Sequence, residues 1–202
     1  MGHTHNNGGV RGASWKGKEL CLSANCLQFD GVDDSVIATN AASIDFDTGL
    51  ATGSAFQAWI RINTTGENGV GQILNKGTNT YLRVTNSSNG RADLEAKLDL
   101  ATTDATLTVT QGIELNKWQH VAMGHTDDGD DEITVFINGV NKGASTNGDG
   151  TPATGDTSDL LIGGPNQAHF KGFIDEVKVY PYERTSTSMT TDASAISSLN
   201  VA

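Results

Sequence analysis

Hydrophobic and polar residues alternate with a period of two along most of the chain. In FQAWIRI (56–62), Phe, Ala and two Ile side chains share one face, while Gln, Trp and Arg share the other. The pattern returns in LEAKLDL (94–100) and in EITVFINGV (132–140). Such alternation is typical of a β-strand with one buried face. The pair Asn138-Gly139 predicts a two-residue hairpin, because both central residues of a type I′ turn need a positive φ.

Roughly ten to thirteen segments of this kind are separated by turn residues at short intervals. No segment shows sustained helical periodicity, and 24 of the 202 residues are Gly. We therefore predict an all-β domain, an antiparallel two-sheet β-sandwich, over residues 1–185. Residues 186–202 are rich in Ser and Thr, and we predict a final turn followed by a linker there.

The chain is acidic, with a formal net charge of -11. This argues against nucleic acid as a partner, because phosphate binding needs a basic face, and against an anionic membrane surface for the same reason. No apolar run is long enough for membrane insertion. The first residues, MGHTHNNGG, lack the basic and apolar regions of a secretory signal. This absence says little if the chain is a module of a longer exported protein, and we expect it to be part of a multidomain parent.

Cys21 and Cys26 are the only two cysteines, and four residues separate them. An isolated pair is too few for a zinc site, which needs four ligands. We expect a local disulfide across the CLSANC turn, which implies an oxidising compartment. The alternative is two free thiols, since sequence alone does not give the geometry.

Seven segments occur in an order that resembles a known family. They are CLQFDGVDDSV, SAFQAWIRI, ILNKGTNTYLRV, LNKWQHVAM, ITVFINGV, LLIGG and FKGFIDEVKVYPYE. The series resembles the laminin-G-like jelly roll of the concanavalin A-like lectin/glucanase superfamily, over about residues 6 to 185. The resemblance implies two curved antiparallel sheets with binding sites on the concave face or at the loop rim. It also implies frequent calcium, and frequent use as an accessory module in secreted enzymes, adhesins and surface proteins.

Asp175 shares a face with the apolar residues of FIDEVKV (173–179), where a carboxylate has to be paired, hydrogen-bonded or metal-bound. Similar folds often hold a structural calcium between the acidic FDG turn and the last strand. The resemblance therefore implies Asp30 and Asp175 as ligands, with backbone carbonyls completing the oxygen shell that Ca²⁺ needs. The alternative is that Asp175 accepts hydrogen bonds from backbone N–H groups while Asp30 caps its own turn. Asp33 and Asp34 are expected in a solvated turn.

A second cation site is known in the pentraxin relatives, between two loops that correspond here to KGTNTYL and IGGPNQAHF. The matching side chains are the amides Asn79, Asn166 and Gln167, where the relatives carry acids. Amides are weak calcium ligands, but they donate and accept hydrogen bonds together, which suits sugar hydroxyls. With Tyr81 and His169 they are expected to form a glycan-contacting rim. The alternative is a set of polar loop residues that face water.

Two tryptophans are candidate platforms for sugar stacking. Trp59 lies on the polar face of its strand, and Trp118 begins the WQHVAM segment. In the family pattern the Trp residues at these positions are usually core, and we assign both to core packing. His120 shares a face with Trp118, and we expect a packed imidazole bonded to a backbone carbonyl rather than a catalytic base.

The chain lacks the carboxylate pattern of the glucanases in this superfamily, E-x-D-x-x-E or E-x-D-x-E on one strand. The nearest pair, Asp175 and Glu176, would point to opposite faces of a sheet. We therefore expect a non-catalytic, extracellular or cell-surface module that binds a glycan or another surface ligand and is stabilised by one calcium ion. Two alternatives stay open: a structural or protein-binding spacer, and a hydrolase or lyase with an unrecognised site.

Overall fold

The computed structural model describes residues 8–45, 53–126, 132–145, 147–152, 157–165 and 167–197. These ranges contain fourteen β-strands and one α-helix, α1 (Ser186–Ser197). The first seven strands are β1 (Gly8–Arg11), β2 (Ser14–Gly17), β3 (Asn25–Asp30), β4 (Ser35–Ala38), β5 (Gly53–Thr64), β6 (Val70–Lys76) and β7 (Thr80–Ser88). The other seven are β8 (Arg91–Leu98), β9 (Ala105–Glu114), β10 (Gln119–Thr126), β11 (Glu132–Ile137), β12 (Val140–Ala144), β13 (Leu160–Ile162) and β14 (Lys171–Tyr180). Short 3-10 helices lie at Ala42–Ile44 and Glu67–Gly69.

The strands form two sheets of seven strands each. Sheet A has the order β1-β4-β13-β6-β7-β8-β9, and sheet B has the order β12-β11-β10-β5-β14-β3-β2. The described strand pairs are all antiparallel. The predicted all-β, two-sheet antiparallel sandwich is therefore confirmed.

The core lies between the inner faces of the two sheets. On β5, the predicted apolar face is fully buried: Phe56, Ala58, Ile60 and Ile62 are each 0% exposed. They share one hydrophobic cluster with inward-facing residues of sheet A, such as Leu82 on β7. Burial of each large aliphatic or aromatic side chain of this kind stabilises the fold by roughly 1.5–3 kcal/mol.

The opposite face of β5 points away from the core and carries Gln57, Trp59 and Arg61. In the register of sheet B, Trp59 lies between His120 on β10 and Asp175 on β14. A lateral row of an aromatic, an imidazole and a carboxylate thus crosses the outer face of sheet B. This row positions the candidate site described below.

Helix α1 occupies part of the segment that the Ser/Thr-rich composition predicted as a turn and linker. Thr185 caps it, because the Thr185 hydroxyl accepts a hydrogen bond from the backbone N–H of Ser188 at 3.2 Å. Met189 and Ala193 are four residues apart and so lie on one helical face, where both are buried. No helix in the described ranges is long and apolar enough to cross a membrane.

The buried face of α1 packs on the outer face of sheet B, so this part of the linker prediction is wrong. Met189 joins a small hydrophobic cluster with residues of three strands, Ala55, Ala122 and Phe136. The domain boundary after residue 185 stays a prediction, but the helix that follows it is attached to the sandwich.

Candidate functional site

A groove of about 430 Å³ lies on the outer face of sheet B beside α1. Trp59 comes from β5, Trp118 lies directly before β10, and Leu22 comes from the loop that the two cysteines close. The remaining lining residues come from the β11–β12 turn and from the helix; they are Asn138, Thr190, Ala193 and Ser194. The groove therefore combines an aromatic wall with a polar one.

Each of the two tryptophans packs against another ring, which restricts its movement. The ring of Trp118, which is half-buried, lies 6.2 Å from the ring of Phe173, measured between centroids. The guanidinium of Arg61 lies 5.1 Å above the same Phe173 ring. Trp59 is only 6% exposed, and its ring meets His120 edge-on at a centroid distance of 5.6 Å. Rings fixed in this way offer an apolar surface at little entropic cost.

The indole N–H of Trp59 is buried and has no acceptor among the described residues. An unpaired buried donor costs roughly 1–3 kcal/mol, and such groups are rare in plain cores. Trp59 is also one of the residues that line the groove.

The polar wall offers hydroxyl and amide groups. The Thr190 hydroxyl is 2.8 Å from the carbonyl of Gly139, and the Ser194 hydroxyl donates to the carbonyl of Thr191 at 2.9 Å. The Asn138 side-chain oxygen accepts from the backbone N–H of His120 at 2.9 Å. The two hydroxyl oxygens can still accept from a ligand, and the Asn138 amide nitrogen can donate.

A polar network under α1 fixes the helix that forms this wall. The Gln57 amide nitrogen donates to Asp192 at 2.7 Å and to the Tyr180 hydroxyl at 3.3 Å. Arg184 donates to the same Asp192 carboxylate at 2.6 Å. Gln57 also accepts from Nε2 of His120 at 2.8 Å, since its nitrogen is used as a donor. Burial lowers the pKa of His120 to about 4, so the imidazole is neutral at pH 7.

The expectation for His120 is therefore right about packing and wrong about the partner. The imidazole is 2% exposed, as expected for a packed side chain. Its partner is the Gln57 side chain rather than a backbone carbonyl. Both residues lie on the outer face of the sheet. They are 63 positions apart in the sequence, so no local pattern predicts that they bond.

The structure does not bring Asp30 and Asp175 together. Asp30 pairs with Lys171 across β3 and β14, and Asp175 follows Lys171 by four residues, or about 13 Å along a strand. The Asp175 carboxylate instead accepts from the backbone N–H of Ser23 at 3.1 Å and from its neighbour Glu176 at 2.9 Å. The shared calcium site is therefore wrong, and the alternative of backbone hydrogen bonds to Asp175 is what the structure contains.

The turn between β3 and β4 differs from the expected solvated turn. Asp30 does cap it, since its carboxylate accepts from the backbone N–H of Val32 at 2.8 Å. Asp34 is 5% exposed and accepts from the backbone N–H of Asp30 at 2.7 Å, and burial raises the pKa of its carboxyl. Oxygens of Asp30, Asp33 and Asp34 lie within 4.8 Å of one another. Three carboxylates supply only part of the shell that calcium needs, so calcium stays a prediction.

The residues of the expected glycan rim lie at two separate places. Asn79 and Tyr81 are at the β6–β7 turn, where the Asn79 oxygen accepts from Lys97 at 3.3 Å. The Tyr81 ring is covered by the guanidinium of Arg83 at 4.2 Å. One face of this tyrosine is thus already occupied by a protein group.

The other rim residues lie near the opposite end of β6. The Gln167 carbonyl accepts from the Asn68 side chain at 3.4 Å, and the His169 carbonyl accepts from the backbone N–H of Glu67 at 3.0 Å. Asn166 lies outside the described residues. The single rim predicted from the resemblance is therefore not assembled, because β6 separates its two halves.

The groove itself was missed, because both tryptophans were assigned to core packing; Trp59 is buried as predicted, but on the outer face of sheet B, and Trp118 is only half-buried. The groove could have been predicted from the residues that share a strand face with Trp59. A tryptophan that alternates with Phe56 and Ile60 but shares a face with Gln57 points away from the sheet interface.

Comparison with known proteins identifies a family for this chain and several solved structures that share its fold. The family model described as "Concanavalin A-like lectin/glucanases superfamily" matches residues 30–189, more than half of the chain. No curated protein matches the chain.

Several solved structures share the fold at low sequence identity. The binding domain of Paraclostridial Mosquitocidal Protein 1 is 14% identical with a TM-score of 0.71, over 94% of this chain and 47% of that one. The botulinum neurotoxin serotype D binding domain is 16% identical with a TM-score of 0.65, over 94% and 47%. Domain 4 of an extracellular arabinanase from Geobacillus stearothermophilus, in complex with arabinotriose, is 18% identical with a TM-score of 0.62, over 92% and 87%. The chain thus spans about half the length of the toxin binding domains that it matches.

Proposed function

The chain belongs to the concanavalin A-like lectin/glucanase superfamily, and on that basis we propose that it is a non-catalytic carbohydrate-binding module. The observation that carries the proposal is the groove with Trp59 and Trp118 on one side and helix α1 on the other. Fold alone does not decide function in this superfamily, so the proposal depends on the groove.

In this proposal a sugar ring stacks its C–H face on the exposed part of Trp118. Its hydroxyls bond Asn138, Thr190 and Ser194, which supply donors and acceptors on the facing wall. Among the described residues, the groove is lined by aromatic, aliphatic, amide and hydroxyl groups and by no charged side chain, which favours a neutral saccharide. The arabinanase domain that shares the fold was solved with a neutral trisaccharide, which supports the same ligand class.

We further propose that the module is part of a larger secreted or surface protein. The disulfide between Cys21 and Cys26 is present in the structure and suits an oxidising compartment. The similar domains belong to toxins and to an extracellular enzyme. A single open groove gives weak affinity, so function would depend on several modules or on a multivalent target.

A structural calcium remains part of the proposal, with the β3–β4 turn as its place. The test is thermal unfolding in calcium and in chelator. A melting temperature that calcium raises in the parent protein, but not in Asp30→Asn, would support the site. Identical melting temperatures in both buffers would remove calcium from the proposal.

The binding proposal is tested on an immobilised panel of neutral oligosaccharides that includes arabinotriose. Trp118→Ala should weaken binding by about tenfold or more, because the stacking surface is lost. Trp15→Ala is the matched control, since Trp15 is 66% exposed on β2 and does not line the groove. Both variants are compared with the parent by thermal unfolding to show that they fold.

Three outcomes would count against the proposal. A blank panel would favour the spacer alternative, and equal losses in Trp118→Ala and Trp15→Ala would mean that the groove is not the site. Release of smaller sugars during incubation would favour the hydrolase alternative over a pure binding module.

A further inference from the structure

A second cavity, of about 470 Å³, lies on the outer face of sheet A. Arg83 and Thr85 on β7 and Glu95 on β8 line it, together with the loop around Asn68 and the end of β7 at Asn86. The immediate sequence neighbours of these residues, Leu82, Val84 and Leu94, fill the core, so this cavity and the Trp59 groove face opposite sides of the sandwich.

A fixed charge pair forms the floor of this cavity. The Arg83 Nε–H donates to one oxygen of Glu95 at 2.7 Å, and the Thr85 hydroxyl donates to the other at 2.8 Å. The Arg83 guanidinium also packs against the Tyr81 ring, 4.2 Å from its centroid. The side chains of Arg83 and Glu95 are 28% and 20% exposed, so they are restricted but reachable. A ligand would meet this pair already in position, which lowers the entropic cost of binding.

Two asparagines complete the walls. Asn68 and Asn86 have φ values of 50° and 49°, a left-handed conformation that Asn tolerates better than most residues. The Asn86 amide nitrogen donates to Asp93 at 3.1 Å, and the Asn68 amide nitrogen donates to the Gln167 carbonyl at 3.4 Å. These bonds orient both amides through their nitrogens, so the side-chain oxygens can accept from a ligand.

We propose that this cavity is a second saccharide-binding site, which takes a neutral sugar through two adjacent hydroxyls. The Glu95 oxygens have further lone pairs for a hydroxyl donor, and the terminal N–H groups of Arg83 can donate to the neighbouring hydroxyl oxygen. The charges of the pair cancel, and the net charge of -11 disfavours an anionic ligand. A neutral vicinal diol satisfies both partners at once.

The inference extends the proposed function, on which it rests for its ligand class. With one site on each outer face, a single module could hold two glycan strands at once. Such a protein would cross-link a polysaccharide and would gain avidity on a dense glycan surface.

The test is an NMR titration with arabinotriose and with a set of neutral disaccharides. The indole N–H signal of Trp118 reports the groove, and the Arg83 Nε–H signal reports the cavity. We expect the Arg83 signal to shift in the parent protein and also in Trp118→Ala. The double variant Arg83→Met with Glu95→Gln lacks the Arg83 signal, so the side-chain amide signal of Asn86, which also lines the cavity, is followed in the parent and in the variant; binding should weaken by about tenfold or more. Arg91→Met with Glu114→Gln is the matched control, because that cross-strand pair on the same sheet lies outside the cavity.

Each pattern of signals decides between the two sites. If the indole signals shift and the Arg83 signal does not, the proposed function stands and the second site is wrong. If the Arg83 signal shifts alone, the second site stands and the groove is wrong. If neither moves with any sugar of the set, both are wrong. Equal losses in the two double variants would also overturn the cavity, because they would show a general effect of charge removal on the sheet.

Discussion

The carboxylate of Asp175 accepts a hydrogen bond from the backbone N–H of Ser23 at 3.1 Å, although the two residues are 152 positions apart in the sequence. The same carboxylate accepts from Glu176 and from Leu22, so it ties the disulfide loop to β14. Leu22 in turn lines the groove. The carboxylate predicted as a metal ligand thus shapes the candidate binding site through backbone hydrogen bonds.

We expect Asp175→Ala to lower the free energy of unfolding by about 1–3 kcal/mol, because buried N–H groups lose their acceptor. Urea denaturation measures the effect. Glu183→Ala is the control, since Glu183 is an exposed carboxylate outside both the disulfide loop and the acidic β3–β4 turn. An unchanged urea midpoint for Asp175→Ala would contradict a stabilising role for these hydrogen bonds.

The same carboxyl gives a pH test with a definite sign. Burial raises the pKa of Asp175, so the folded protein binds its proton more tightly than the unfolded chain does. The stabilising contribution is fully present below the unfolded pKa, and it is lost as pH rises through the folded pKa. The stability difference between the parent and Asp175→Ala should therefore grow as pH falls from neutral, and a difference that shrinks would contradict the shift.

His120 should make the protein less stable in mild acid. Its pKa is about 4 in the folded protein, below the ordinary 6.5, because of burial. Between these two values only the unfolded chain binds the proton, so stability falls as pH falls, by about 3 kcal/mol over the whole window. Urea denaturation of the parent and of His120→Gln at pH 7 and pH 4.5 separates this effect from other groups. Equal losses in both proteins would mean that His120 is not responsible.

Asp192→Ala should loosen helix α1 and weaken ligand binding in the Trp59 groove together. The substitution removes the acceptor of both Gln57 and Arg184, which costs about 1.5–3 kcal/mol for charge-assisted hydrogen bonds. Hydrogen exchange of the helix amides measures the loosening, with Thr187→Ala on the exposed side of α1 as control. Unchanged exchange in Asp192→Ala would contradict the role of the network.

The disulfide can be tested directly by thiol titration under denaturing, non-reducing conditions. We expect no reactive thiol from Cys21 or Cys26. Replacing both by Ser should cost about 2 kcal/mol or less, because the closed loop is short. It should also weaken binding in the groove, since Leu22 belongs to that loop. Two reactive thiols in the parent would contradict the bond.

The sequence predicted those parts of the fold that local pattern decides. Alternation predicted the buried face of β5, and Asn138-Gly139 predicted the β11–β12 hairpin, whose two turn residues have φ values of 52° and 74°. Helix α1 was missed because Met189 and Ala193 are a weak apolar signal among Ser and Thr. Its stability comes from the sheet beneath it, which no local window contains.

The candidate site was less predictable, because it depends on register. Asp30 and Asp175 fall in the right segments for a shared site, but the pairing of β3 with β14 sets them about 13 Å apart. In the same way, Trp59 and Trp118 share a groove only because a helix from the end of the chain packs beside them. The family resemblance predicted which segments would carry site residues. Strand register and the packing of α1 determine which of their side chains lie together.

The attachment of α1 also decides how this module can be cut out and reused. A fragment that stops at residue 185 would retain both sheets, yet it would uncover Phe136 and Ala122 and lose the part of the groove wall that α1 supplies. An apolar surface exposed in that way promotes aggregation. Fusion proteins and tandem arrays made from this chain should therefore keep residues through 197. Without α1, their aggregation and binding would reflect the exposed apolar surface and the incomplete groove.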